Sequence, residues 1–145
     1  MSLILELAEA TGLSGSDIER VIRTAPARYK VYPIKKRNGG FRIIAQPSRE
    51  LKVIQHYILK EKLKDFPVHD CAMAYEKGRN IFENATSHTM ARVLMKLDFK
   101  DFFPSIKVRD WERFLAASSL DAIPLNEIGL YSKLLFWGEK KVNSC

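Results

Sequence analysis

The feature that most constrains the fold is a tight turn, Arg37-Asn38-Gly39-Gly40, between two segments with the composition of β-strands. These segments cover residues 29–36 and 41–46. Asn-Gly is the favoured centre of a two-residue type I′ turn, because both central residues must reach positive φ. We therefore predict a β-hairpin, in which Pro33 confines the first strand to a sheet edge or an irregular stretch.

The predicted turn also fixes a cross-strand register. Centring it on Asn38-Gly39 pairs Lys35 with Arg42, and directly opposed residues share a face. Lys35, Arg37 and Arg42 would then project together and repel one another. A bound triphosphate or nucleic-acid backbone would relieve that repulsion. The alternative is an exposed hairpin whose charges only block edge-to-edge aggregation.

Basic charge is concentrated around this hairpin. The chain has a net charge of +7, whereas residues 28–64 hold eleven Lys and Arg against two acids, a local balance of +9. The remainder is slightly acidic. Such a cluster suits a polyanionic partner, although a run of charge is equally often a solvated face.

Helical patterns flank the hairpin. We predict helices over residues 2–11, from a capping box at Ser16 to Pro26, over residues 48–64 and from Asn80 toward His88. Two more follow around residues 108–115 and 128–135, the latter ended by Gly138. Residues 92–98 have the composition of a buried strand. The predicted class is α+β, all-helical at first and then mixed.

The segment from Lys96 to Ile106 carries the clearest chemistry. An apolar strand would deliver Asp98 at its carboxyl end, followed by Asp101 and by Phe102-Phe103. Carboxylate oxygens on rigid elements are the ligands that Mg²⁺ prefers in two-metal phosphoryl transfer. The alternative is an aspartate that caps the next turn beside two core phenylalanines.

Composition excludes several other classes of protein. The apolar runs are too short to span a bilayer, and the N-terminus lacks the basic flank of a signal peptide. Cys71 and Cys145 have no metal-binding spacing, so reduced thiols and a cytoplasmic location are expected.

Several segments together resemble the reverse transcriptases of the retron and group II intron branch. LDFKDFFPSI, from Leu97, is similar to their first catalytic motif, and the hairpin is similar to the fingers hairpin with a Lys and an Arg seven residues apart. QPSRELKVIQ and VHDCAMAYEKGRNI resemble two further fingers segments. Asn84-Ala85-x-x-His88 matches the NAxxH signature of retron enzymes.

The resemblance implies a role for each matching residue. Asp98 would be catalytic and would bind Mg²⁺, or alternatively Mn²⁺, helped by the Phe99 carbonyl. The residues implied to hold the nucleotide are Lys35, Arg42, Asp101, Phe102 and Phe103, the last as a gate against ribonucleotides. The residues implied to contact RNA are Arg37, Arg49, Lys52, Gln55, Tyr75, Gly78, Arg79, Asn84 and His88.

By resemblance the chain comprises a helical N-terminal extension (1–24), a fingers subdomain (25–90) and the start of a right-hand polymerase palm (91–145). The adjacent pair of aspartates that completes the family's active site is absent from the sequence. We therefore expect an RNA-directed DNA polymerase portion that is inactive alone and needs the remainder of the polymerase. Implied partners are dNTPs, a structured noncoding RNA with its DNA copy (msDNA), and an effector protein in antiphage defence, with no membrane. The alternatives are a noncatalytic RNA-binding module and a group II intron maturase-type fingers region.

Overall fold

The computed structural model describes residues 2–118 and 123–137. They fall into two compact units, one formed by the residues up to Lys64 together with those from Ile106 onward, the other by Asp65–Ser105. Gly138 and Cys145, which the sequence analysis singled out, lie outside the described residues. The predicted subdomain boundaries after residues 24 and 90 stay predictions.

The described structure consists of a single β-hairpin with helices before and after it in the chain. In chain order they are α1 (Leu3–Thr11), α2 (Gly15–Thr24), β1 (Tyr29–Lys35), β2 (Phe41–Pro47), α3 (Arg49–Tyr57), α4 (Ile81–Thr86), α5 (Phe102–Ser105), α6 (Val108–Ala117) and α7 (Ile128–Leu135). A π-helical turn, Ile58–Lys62, continues α3, and short 3₁₀ turns lie at Ala25–Ala27 and Leu125–Glu127. The mixture of helix and strand confirms the predicted class at that level.

Side-chain caps set where several helices begin. The Ser48 hydroxyl accepts the Leu51 amide at 3.4 Å, and the Asn80 side chain accepts the Glu83 amide at 2.9 Å, both at predicted helix starts. The helix predicted to start near Ser16 is present as α2, which begins at Gly15, but Ser16 is not its cap. Its cap is Ser14, which accepts the Asp17 amide at 3.1 Å, so the cap lies two residues earlier in the chain. Ser14 meets the same need for an N-terminal acceptor.

The core of the first unit is formed by α1, α2, α3 and α7. Its fully buried side chains include Leu3, Leu7, Ile18, Leu51, Ile54, Ile58, Tyr131 and Leu134. Polar contacts fasten α1 to the same core: the Leu3 amide donates to the Glu127 carboxylate at 2.9 Å, and Glu6 forms an ion pair with Lys62. The N-terminal helix is therefore built into this unit.

The hairpin is present, but its predicted turn and register are wrong. Lys35 pairs with Phe41, and Ile34 pairs with Arg42. The loop contains three residues: the Lys36 amide donates to the Gly40 carbonyl at 3.0 Å, and the Gly39 amide donates to the Lys36 carbonyl at 3.2 Å. Gly39 has a φ of 86°, whereas Asn38 is not among the residues of positive φ. This is a turn followed by a left-handed glycine bulge, the common three-residue alternative to type I′.

The second unit carries α4 and α5, and none of its residues is buried. The strand predicted over residues 92–98 is wrong, because that segment has no regular structure and its side chains are exposed, including Leu94 at 70%. A strand needs a neighbour to accept its backbone hydrogen bonds. In the part of the chain that the structure describes, the hairpin is the only sheet.

Candidate nucleotide and nucleic-acid site

The observed register separates the two hairpin cations. Since Arg42 is opposite Ile34 and Lys35 is opposite Phe41, the two charged side chains leave opposite faces of the ribbon. Arg37 lies in the loop. The prediction that Lys35, Arg37 and Arg42 share one face is therefore wrong, and the pairing of Lys35 with Arg42 as a triphosphate clamp now depends on the family resemblance.

The hairpin faces differ in chemistry. The Lys35 face also presents Phe41 and Ile43, which are largely exposed. The opposite face presents Arg42 near the turn and Lys30 at the foot, with Tyr32 between them, since alternate residues of a strand share a face. Among the described residues, neither Lys30 nor Arg42 forms an ion pair. That face is the more cationic of the two.

Helix α3 places its three predicted RNA-contacting residues in different environments. Arg49 and Lys52 are exposed, whereas Gln55 is half-buried. The Gln55 amide nitrogen donates to the Tyr29 hydroxyl at 2.9 Å and to the Leu134 carbonyl at 2.7 Å. Both amide hydrogens of Gln55 are thereby occupied within the protein. Its structural contacts tie the first residue of β1 to the end of α7.

The same contact with Gln55 affects the pKa of Tyr29. Burial raises the pKa of its phenol, and the hydrogen bond from Gln55 lowers that pKa in part, because a donor to the oxygen favours the phenolate. The ring of Tyr29 also lies 6.3 Å from that of Trp137, centroid to centroid. The foot of the hairpin is consequently anchored on both α3 and the residues after α7.

In the second unit, Tyr75 is a predicted template-contacting residue that is almost fully exposed. Its side chain is 97% exposed, and its φ of 65° places a bulky residue in the left-handed region. Such a conformation costs free energy for a residue other than glycine. Gly78 also has positive φ, at 90°, where glycine is suited.

The other predicted RNA contacts of this unit lie on or beside α4. The Arg79 guanidinium pairs with the Glu83 carboxylate at 2.6 Å, so its charge is partly compensated. The side chains of Asn84 and His88 are exposed at the end of α4. The NAxxH residues therefore lie in one short, solvent-facing stretch that begins in α4 and ends in the turn after it.

Asp98 lies in an exposed, irregular segment, and Asp101 immediately precedes α5. Asp101 has a φ of 51°, a conformation that aspartate tolerates better than most residues, and its carbonyl accepts the Ser105 amide at 2.9 Å. The rings of Phe102 and Phe103 meet edge to face at 5.3 Å, with Phe103 69% exposed. An accessible carboxylate and an accessible ring thus lie five residues apart.

The carboxylates present do not by themselves fit a two-metal centre. Among residues 2–118 and 123–137 no group of three His, Cys, Asp or Glu side chains could hold a metal ion. Mg²⁺ is held through near-octahedral oxygen coordination, of which Asp98 would supply one ligand. None of the described helices is long and apolar enough to cross a membrane.

Sequence analysis overlooked one basic feature, a groove at the foot of the hairpin between residues 27–30 and 46–49. Two of its cations, Arg28 and Lys30, flank the start of β1. The signal was available, because an antiparallel hairpin returns the end of its second strand to the start of its first.

Comparison with known proteins defines the class. The profile of the family described as reverse transcriptase (RNA-dependent DNA polymerase) matches residues 34–143, most of the chain. The chain therefore belongs to the reverse transcriptase family.

Its relatives define the branch. The chain is 37% identical over 126 residues to the retron Ec83 reverse transcriptase of Escherichia coli, covering 86% of this chain and 40% of that one. It is 33% identical over 140 residues to the retron Ec86 reverse transcriptase of Escherichia coli, covering 93% and 44%. It is 41% identical over 108 residues to the retron Mx162 reverse transcriptase of Myxococcus xanthus, covering 71% and 22%. The chain is thus of the retron type and spans less than half the length of these relatives.

Proposed function

We propose that this chain supplies the fingers and the first catalytic carboxylate of a retron reverse transcriptase, an RNA-directed DNA polymerase. The observation that supports this most directly is the family match from residue 34 to 143, which includes Lys35 and Arg42 of the hairpin and also Asp98. The remainder of the relatives' length would supply the other catalytic carboxylates.

Within the assembled enzyme, Asp98 would bind Mg²⁺ with the Phe99 carbonyl, and the metal would neutralise charge on the transferred phosphoryl group. The backbone amides of Asp101 and Phe102 would face the triphosphate. Phe103 would refuse a 2′-hydroxyl by steric conflict. The exposure of Asp98 and Phe103 supports these roles, because both would be accessible to a substrate.

At the level of the whole protein, we propose that it copies part of a structured noncoding RNA into single-stranded DNA, primed from a 2′-hydroxyl of that RNA. The RNA would contact Arg37, Arg49, Lys52, Tyr75, Arg79 and the NAxxH residues. An effector protein, a role in antiphage defence and a cytoplasmic location belong to the same proposal. The names of the relatives, which are retron reverse transcriptases, support the RNA-templated DNA synthesis in this proposal.

A chimera tests the catalytic assignment. Residues 34–143 would replace the matching region of the retron Ec83 reverse transcriptase, and primer extension on an RNA template would be measured with Mg²⁺. Asp98→Asn should abolish DNA synthesis while RNA binding persists. Asp101→Asn is the matched control, because asparagine also tolerates positive φ and the proposed role of Asp101 uses its backbone amide. Equal synthesis by the two variants would refute the assignment.

The hairpin cations can be separated in the same chimera. Lys35→Ala and Arg42→Ala should each raise the KM for dNTP if both side chains reach the triphosphate. Because they leave opposite faces of the hairpin, a nucleotide on one face alone would respond to one variant. An effect on RNA affinity without an effect on KM would favour the noncatalytic RNA-binding module.

The chain by itself should incorporate no nucleotide, since one carboxylate cannot hold two metal ions. Single-turnover extension of a primed RNA template by the 145-residue chain checks this. Measurable incorporation would contradict it.

A further inference from the structure

The foot of the hairpin contains a groove of about 500 Å³, formed where residues 27–30 meet residues 46–49. Its lining includes three cationic residues, Arg28, Lys30 and Arg49. The pairing of Tyr29 with Pro47 brings them together, because it places the start of β1 beside the start of α3. No acidic residue lines the groove.

The groove keeps a positive balance after its neighbours are counted. The Arg28 guanidinium donates to the Thr24 hydroxyl at 2.6 Å and lies 3.8 Å from the Glu50 carboxylate. The backbone amide of Glu50 and the Ser48 hydroxyl, with Arg28, hold the pKa of Glu50 below its usual value. Glu50 thus offsets one of the three charges. Lys30 and Arg49 form no ion pair within the described residues.

Several uncharged groups around the groove already form hydrogen bonds within the protein. The Ser48 amide donates to the Arg28 carbonyl at 2.8 Å, and the Ser48 hydroxyl accepts from Leu51. The Gln46 carbonyl oxygen accepts from Tyr32 at 3.2 Å. The charged ends of Arg28, Lys30 and Arg49 dominate what the groove can bind, because hydrogen bonds from charged donors are stronger than those from neutral donors. Three cationic donors beside a single carboxylate, that of Glu50, suit an anion with several acceptor oxygens, such as a phosphate.

The position of a further cation favours a polymer over a small anion. Arg42 lies on the same hairpin face as Lys30, opposite Ile34, which is four residues along β1. At about 3.3 Å per residue, the two positions are about 13 Å apart along the strand. One phosphate group cannot reach both, whereas consecutive phosphates of a nucleic-acid strand can follow such a row.

We propose that the groove lined by Arg28, Lys30 and Arg49 seats a backbone phosphate of RNA, whose strand continues along the hairpin face that carries Arg42. This inference rests on the proposed function, in which RNA is the template, and extends it to Arg28 and Lys30. Phosphate contacts of this kind position a strand without selecting its sequence.

Salt-dependent RNA binding tests the groove. The 145-residue chain and its Arg28→Gln, Lys30→Gln, Arg49→Gln triple variant would be titrated with a short fluorescent single-stranded RNA at several salt concentrations. Loss of one phosphate contact should reduce the slope of log affinity against log salt by about 0.7. A fourfold rise in salt should then weaken the unsubstituted chain roughly threefold more than the variant.

Two further variants control for charge and folding. The first is a triple variant that removes the same charge from exposed positions outside the groove, with Lys60→Gln, Arg109→Gln and Lys133→Gln. It should leave the slope of log affinity against log salt nearly unchanged. Lys30→Gln, Arg49→Gln retains the contacts of Arg28 with Thr24 and Glu50, so it reports on the groove if the triple variant unfolds.

The outcomes distinguish failure of the groove proposal from failure of the polymerase proposal. Equal slopes for the groove and control variants would refute the proposal that the groove binds an RNA phosphate. Absence of RNA binding by the unsubstituted chain at low salt would also refute it. Saturable binding of inorganic phosphate alone, lost in the groove variant, would assign the groove to a small anion instead. Failure of the polymerase proposal appears elsewhere, as DNA synthesis by the Asp98→Asn chimera.

Discussion

Replacing Gln55 with alanine should destabilise the protein rather than weaken its affinity for RNA. The Gln55 amide donates one hydrogen bond to Tyr29 and one to Leu134, which joins the hairpin foot to α7. Each such bond contributes about 1 kcal/mol net, so the free energy of unfolding should fall by about 2 kcal/mol. With a urea m-value of about 2 kcal/mol/M, the unfolding midpoint should fall by about 1 M.

Lys52 provides the matched control on the same helix. It is exposed and forms no ion pair among the described residues, so Lys52→Ala should change stability by less than about 0.5 kcal/mol. If Lys52 contacts RNA phosphate, its loss should weaken RNA binding and make that binding less dependent on salt. The reasoning is refuted if Gln55→Ala weakens RNA binding and leaves the urea midpoint unchanged.

The phenol of Tyr29 reports on the same contact independently. Because the Gln55 hydrogen bond lowers the pKa of Tyr29, Gln55→Ala should raise that pKa further above its ordinary value. Ultraviolet titration of tyrosinate, compared with a Tyr29→Phe background, measures the change. An unchanged pKa would mean that Gln55 does not donate to Tyr29 in solution.

Three further predictions follow from burial and backbone conformation. Leu7→Ala should cost about 3 kcal/mol of unfolding free energy because Leu7 is 0% exposed, whereas Leu5→Ala on the same helix, at 59%, should cost little; urea denaturation compares them. Gly39→Ala should weaken the hairpin by about 1 kcal/mol and Asn38→Ala should not, since Gly39 alone of the two has positive φ; cross-strand nuclear Overhauser effects check this. Burial raises the pKa of Tyr131, so the folded protein holds that proton more tightly than the unfolded chain, and stability should fall as pH rises above about 10. Tyr131→Phe should lessen that alkaline loss, measured by urea denaturation across the range.

The hairpin could be predicted from the sequence only in part. The two strands were predictable because their residue types and the glycine-containing turn agree. The register was not, because Asn38-Gly39-Gly40 supplies two glycines that can take positive φ, and the chain uses both Gly39 and Gly40. A loop one residue longer moves every pair by one position, which exchanged the face of Lys35 relative to Arg42.

In the candidate site, too, some features could be inferred from the sequence and others could not. The role of each site residue comes from the motif resemblance and stays a prediction, and the exposure of Arg49, Lys52 and Asp98 is compatible with contact to ligands. The environment of Gln55 was not predictable, because its acceptor Leu134 lies 79 residues away in the sequence. A side chain that resembles a ligand contact in a motif can therefore be held by a distant backbone carbonyl.

The segment before Asp98 also shows that composition alone does not determine whether a strand forms. Residues 92–98 have the apolar composition of a buried strand, yet in the structure Val93, Met95 and Leu97 are all exposed. Composition records the environment for which a segment is suited, whereas strand formation also requires a partner for its amides and a surface that covers its side chains. Neither is provided by the described residues of the second unit. If the remainder of the polymerase supplies both, assembly should order residues 92–98 and fix Asp98 at the same time, so that amide protection there and DNA synthesis should arise together.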